Sequence, residues 1–133
     1  MSQENVEIVQ RGIDAFNRRD VDLIAELTTP DFAWFPAMAE AVEAGVYRGR
    51  EGIEAYFADL SKTWEELRIL PGQFHDLGER VLVLGRIDGR GVGSGVPVDA
   101  PLGLIYELRG GKIALARGHL DHAEALKAVG LAE

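Results

Sequence analysis

Arg86 and Asp88 stand two apart in Gly85-Arg86-Ile87-Asp88. On a strand, residues two apart share one face. There a guanidinium can hold a carboxylate, a carbonyl or an enolate, while a carboxylate can take up a proton. If that face lines a pocket, each charge needs the other to offset the loss of water. The plainer reading is an ordinary ion pair at a sheet rim. Arg117, His119 and Asp121 form a second alternating set, with Ala116, Gly118 and Leu120 on the other phase. If the polar phase faces inward, His119 and Asp121 are an acid–base pair. Asp121 also suits a helix N-cap, which needs no chemistry. His75, beside Asp76, reads as a general base or, more simply, as a structural histidine. His122 is expected to face solvent. Three histidines without ligand spacing give no metal signal, and no cofactor is expected. Gly91-Val92-Gly93-Ser94-Gly95 lacks the lysine of a phosphate loop and leads into no helix, so it reads as a flexible hairpin.

These residues must be positioned by a mixed set of elements. Val6, Val9, Ile13 and Phe16 fall at helical spacing, with Ser2 as N-cap. Asp20 caps a second short helix carrying Leu23, Ile24 and Leu27, which Pro30 stops. Phe32 to Phe35 is a short strand ended by Pro36, and residues 37–46 read as a loop. Tyr47-Arg48-Gly49-Arg50-Glu51-Gly52 leads into a third helix, about Arg50 to Trp64, with Ile53, Tyr56, Phe57, Leu60 and Trp64 as its apolar stripe. Strands are expected over 67–76, 79–92, 96–109 and 112–121, then a short helix from His122 to Leu131. Val81-Leu82-Val83-Leu84 is apolar on both phases, which suits a strand buried on both faces. The order gives an α+β architecture, with helices gathered on one face of a curved antiparallel sheet.

At 133 residues, 47% of them hydrophobic, residues 1–133 read as one globular domain that needs no disulfide or metal to hold it. There is no cysteine, so a thiol nucleophile and thiolate metal sites are excluded. A net charge of −8 repels phosphate backbones, so nucleic acid is not an expected partner. No secretory signal is visible at Met1-Ser2-Gln3-Glu4-Asn5. No apolar run approaches the roughly 20 residues that span a membrane. The expectation is a cytoplasmic protein with no membrane partner.

Several ordered phrases resemble the nuclear transport factor 2-like superfamily, in its SnoaL-like branch. They are Ala15-Phe16-Asn17-Arg18-Arg19-Asp20, Pro30-Asp31-Phe32, Tyr47-Arg48-Gly49-Arg50-Glu51, Gly78-Glu79-Arg80-Val81, Gly93-Ser94-Gly95 and Gly111-Lys112-Ile113. The last, Asp121-His122-Ala123-Glu124-Ala125-Leu126, runs on to Gly130-Leu131. The resemblance implies a cone-shaped α+β barrel around a deep apolar pocket, and a homodimer packed through the sheet's outer face. It also implies that the pocket lies on the phase of residues 116, 118 and 120, so that Arg117, His119 and Asp121 face outward.

Fold alone does not fix chemistry. The ketosteroid isomerase branch needs proton-transferring residues where this chain has Phe16, Phe35 and Pro101. The epoxide hydrolase branch has an arginine and an aspartate two apart, matched by Arg86 and Asp88, but its second acid falls on Gly118. Its tyrosine and asparagine find no counterpart around Trp34-Phe35-Pro36, so Asp99 or a histidine would have to substitute. The expected ligand is a small apolar molecule held by Phe16, Trp34, Phe35, Tyr47, Tyr56, Phe57, His75 and Leu120, with Arg86 and Asp88 as polar anchors. Ala116 and Gly118 would enlarge the pocket, and Leu102, Leu104 and Tyr106 would meet the second copy. Two rival readings are a cofactor-independent hydrolase, isomerase or cyclase, with Asp88 as base and Arg86 stabilising negative charge, and a non-catalytic dimeric interaction module.

Overall fold

The structure, a computed structural model, describes residues 2–37 and 46–131. The loop expected over 37–46 therefore falls almost wholly outside the described residues. Helix α1 (Ser2–Asn17) buries Val6, Val9 and Ile13, the spaced residues of its apolar stripe. Helix α2 (Val21–Leu27) is capped by Asp20, whose carboxylate accepts from the Leu23 N–H at 3.0 Å. It ends at Leu27, before Pro30, because Thr28 already adopts extended backbone. Pro30 lies inside strand β1 (Thr28–Phe35), in the stretch where that strand's register shifts. A residue without an N–H is tolerated where the ladder is already interrupted.

The short strand β2 (Tyr47–Arg48) pairs antiparallel with β1 and leads directly into α3 (Gly49–Thr63). Four long strands follow: β3 (Trp64–Asp76), β4 (Arg80–Gly91), β5 (Pro97–Arg109) and β6 (Lys112–His119). The short helix α4 (His122–Ala128) closes the order. The sheet order is β2-β1-β6-β5-β4-β3, with β1 and β6 parallel and the other neighbours antiparallel. The sheet is mixed and does not close, so β2 and β3 are its edges.

Curvature follows from what the sheet encloses. Ile69 on β3 and Trp34 on β1 border one cavity although four interstrand steps separate their strands. Flat, those steps would hold them about 19 Å apart. The sheet therefore wraps around α1 to α3. Val81, Val83 and Ile87 of β4 and Leu102, Leu104 and Tyr106 of β5 face this inner core. Leu82 and Ile105, on the alternate phase, pack with Ala125 and Val129 beneath α4 on the outer face. That second cover explains why Val81 to Leu84 is apolar on both phases. No helix of the described residues is long and apolar enough to cross a membrane.

Candidate functional site

A cavity of about 60 Å³, partly open to the outside, lies between α1, α2, α3 and the inner sheet face. α1 contributes Phe16, β1 Phe32 and Trp34, and α3 Ile53, Tyr56 and Phe57. The sheet contributes Ile69, Tyr106, Ile113 and Ala116. Tyr56 is the hub of an aromatic cluster. Its ring centroid lies 5.0 Å from Tyr47, 5.6 Å from Trp34, 6.1 Å from Phe16 and 6.2 Å from Phe57. Trp34 and Tyr47 meet it edge to face, the arrangement that sets a positive ring edge against a negative ring face.

The polar side chains of this wall, Thr28, Trp34, Tyr56 and Tyr106, are uncharged. Burial pushes the Tyr56 hydroxyl up to about 12, a rise that the neighbouring Trp34 indole and the Arg19 charge partly offset. Burial raises Tyr106 as well. Tyr47 stands outside the lining and supports Tyr56 from behind. It is pushed up to about 12 by burial and by donating to the Asp59 carboxylate at 2.8 Å. Although the Trp34 indole lies close enough to Tyr56 to influence it, its N–H meets no hydrogen-bond partner of good geometry among the described residues. No carboxylate or imidazole borders the cavity among the described residues.

Arg19, which is not among the lining residues, lies over two of the rings. Its guanidinium carbon is 5.1 Å from the Phe16 centroid and 5.3 Å from that of Phe57. Its Nη1 donates to the Phe16 carbonyl at 2.7 Å and its Nη2 to the Leu67 carbonyl at 2.9 Å. Burial lowers its pKa, yet a guanidinium starts so high that it stays charged. Its backbone is left-handed, with φ at 57°, the one such non-glycine residue among those described.

The cavity thus brings together Phe16, Trp34, Tyr56 and Phe57 of the expected ligand residues, with Ala116, expected to widen the pocket, beside them. The remainder lie elsewhere. Arg86 and Asp88 do share a face, but it is the outer one, on the phase of Leu82 and Leu84. Arg86 donates through Nε to Asp99 at 2.7 Å, with 53% of its side chain exposed. Asp88 sits 3.6 Å from Arg68 across the β3–β4 ladder. They are surface ion pairs on two strand ladders, and the anchors of an inner pocket must be sought in other residues. His75 pairs opposite Leu82 on that same outer face and lies 3.4 Å from Gln73. Phe35 also points outward, where the Arg117 guanidinium covers it at 4.2 Å. Leu120 follows β6 and is 41% exposed.

Other expectations are corrected as well. Leu102, Leu104 and Tyr106 belong to the inner core and so cannot meet a second copy. His122 does not face solvent freely, because its Nε2 lies 2.8 Å from the Gly85 carbonyl and ties α4 to β4. Asp121 is the N-cap of α4, accepting from the Ala123 N–H at 2.8 Å. Gly118 is on the inner phase, but it adds no space: a Cβ there would lie 2.9 Å from the Ala37 nitrogen. Where the epoxide hydrolase branch carries its second acid, this chain has no room for any side chain. Ile69, Tyr106 and Ile113 were missed as lining residues, since nothing in a strand's alternation tells which phase faces inward. Arg19 was missed because a basic residue in a loop has no periodic signature.

An open α+β sheet wrapped around helices and an aromatic cavity defines a class of protein. The chain belongs to the SnoaL-like domain family of the nuclear transport factor 2-like superfamily, whose model matches residues 9–116. Among solved structures, a nuclear transport factor 2-like protein of unknown function from Burkholderia pseudomallei superposes with a TM-score of 0.80 at 23% identity, over 96% of this chain and 98% of that one. TerC, co-crystallised with polyporic acid, gives 0.79 at 22% identity, over 93% and 96%. A SnoaL-like protein from Jannaschia, described as a putative polyketide cyclase, gives 0.75 at 24% identity, over 98% and 94%. At these identities the likeness shows a common fold. No curated protein matches the sequence.

Proposed function

We propose that this chain binds a small, largely apolar, ring-containing molecule in the cavity around Tyr56. The carrying observation is the wall itself: six aromatic side chains on four elements converge on one space whose polar side chains are uncharged. Such a wall suits ring stacking with one or two oriented hydrogen bonds. Acid–base turnover would need a base within hydrogen-bond reach of the substrate, and the described wall offers neutral hydroxyls and an indole in that place. The co-crystallised TerC and the protein described as a polyketide cyclase support the same ligand class by analogy of fold.

Size sets a condition on this reading. The cavity is about 60 Å³, whereas an engineered apolar cavity that admits benzene is on the order of 150 Å³. A ring must therefore extend through the open side or displace Phe57, which is only half-buried. Ala116→Leu tests the reading, because the added atoms occupy the cavity without a new polar group. Quenching of Trp34 fluorescence by nitrobenzene should be saturable in the parent and lost in the variant, whose thermal midpoint stays within a few degrees. Equal quenching in both would sink the proposal.

Pairing of two copies through the outer sheet face belongs to the same reading. Glu66 opposite Arg90, Arg68 near Asp88 and Arg86 on Asp99 give that face alternating charges. Twofold pairing requires a self-complementary surface, which such alternation supports. Sedimentation equilibrium should return twice the chain mass, weakening with salt. A monomer at micromolar concentration and low salt would refute the pairing.

A further inference from the structure

Arg19 sets a cation against the aromatic cage. A cluster of Trp, Tyr and Phe rings, left to itself, attracts ammonium groups, because ring faces carry negative potential. Here two of the ring faces already have a cation against them. The Arg19 guanidinium sits 5.1 Å from Phe16 and 5.3 Å from Phe57, both of which border the cavity. It makes no ion pair among the described residues; its recorded hydrogen bonds go to the carbonyls of Phe16 and Leu67. Its positive charge is therefore not cancelled locally by a carboxylate. No acidic side chain borders the cavity among the described residues to restore a preference for cations. The positive charge is also felt inside the wall, where it opposes the rise of the Tyr56 hydroxyl.

We propose that Arg19 occupies the cation-accepting side of this cage and turns the cavity's preference away from amines, toward rings bearing an electron-rich or ionisable oxygen, of the phenol and enol class. The inference rests on the cavity being a ligand site, and deepens that reading by naming the ligand's charge. Two physical effects work together. A cation on one side of a ring withdraws π density, so the far side stacks better against an electron-rich ring. A fixed positive charge in a poorly solvated wall also stabilises a bound oxyanion and repels a bound ammonium. The left-handed backbone at Arg19 is consistent with a side chain retained for where it puts its charge, since a glycine would hold φ at 57° without strain.

The test uses three probes: nitrobenzene, 4-nitrophenol and tetramethylammonium. Nitrobenzene reports the cavity; 4-nitrophenol adds an ionisable oxygen whose phenolate absorbs in the visible; tetramethylammonium reports cation affinity. The parent should bind both nitro compounds and reject tetramethylammonium. Arg19→Gln should raise the dissociation constant for the phenolate about tenfold, move the pKa of bound 4-nitrophenol up by about 1 unit, and leave nitrobenzene within about twofold. It should also gain tetramethylammonium binding, which no merely structural role of Arg19 would produce. Arg19→Lys, which keeps the charge, should restore the bound pKa. If Arg19→Gln weakens nitrobenzene as much as the phenolate, or leaves the bound pKa unchanged, the charge role is overturned while the cavity reading stands. If the parent binds nitrobenzene but prefers tetramethylammonium to the phenolate, the proposal fails without any variant. If the parent binds none of the three, the cavity reading fails and this inference with it.

Discussion

Arg86 and Asp88 illustrate what single residues disclose and what they withhold. Spacing of two correctly places them on one strand face, yet alternation never says which face is inside. The apolar signal that might have decided the matter was ambiguous on β4. Val81 and Val83 face the core, while Leu82 and Leu84 meet α4 or its surroundings. Both phases therefore look buried in the sequence. The consequence is a reversal of the expectation that Arg86 anchors a ligand. Arg86→Leu removes one exposed pair with Asp99. Stability of the single chain should change by less than about 1 kcal/mol, as surface pairs do, and nitrobenzene affinity should not change. Titration by fluorescence checks this; a tenfold loss would return Arg86 to the site. Gly118 withheld something different. Its lack of an acid was legible, but the reason, the Ala37 backbone lying against it, joins distant parts of the chain and has no local mark.

Elements were legible where a repeat period and a cap coincide. α1, α2 and the strand meander could be read from spacing, Asp20 and the glycines at the turns. β2 could not, because two residues show no period; Tyr47 and Arg48 are extended only because β1 lies beside them. The terminal helix was legible as a helix, but its packing partner was not. α4 rests on Gly103, where a Cβ would come within 2.5 Å of the Ala125 Cβ. That close approach, with the His122 link to the Gly85 carbonyl, holds α4 on the outer face rather than over the cavity. Gly103→Val should therefore displace α4 while the inner core persists. Overpacking of this kind costs about 2 kcal/mol. Limited proteolysis should release the segment beyond β6 in the variant, while nitrobenzene binding survives. Loss of nitrobenzene binding together with α4 would mean that the helix shapes the cavity after all.

At the scale of the whole molecule, the tyrosines report the integrity of the wrapped core. The chain has three, and each is buried: Tyr47 at 6%, Tyr56 at 8% and Tyr106 at 7% exposure. All three hydroxyls are raised, chiefly by burial, Tyr47 and Tyr56 to about 12. The sign follows from linkage. A phenol that holds its proton longer in the folded state than in the unfolded one stabilises nothing extra below its ordinary value near 10. Above that pH the unfolded chain releases protons that the folded chain retains. Stability then falls by about 1.4 kcal/mol per pH unit for each fully buried tyrosine, until the folded value is reached. Fold and site are coupled here, since Tyr56 and Tyr106 border the cavity while Tyr47 buttresses Tyr56. Alkaline titration followed by phenolate absorbance should show the tyrosines ionising in one cooperative step above pH 10, coincident with loss of helical circular dichroism. A tyrosine that titrates separately near pH 10, with the helices intact, would mean that water already reaches the cage, and the apolar character on which the proposed ligand depends would be lost.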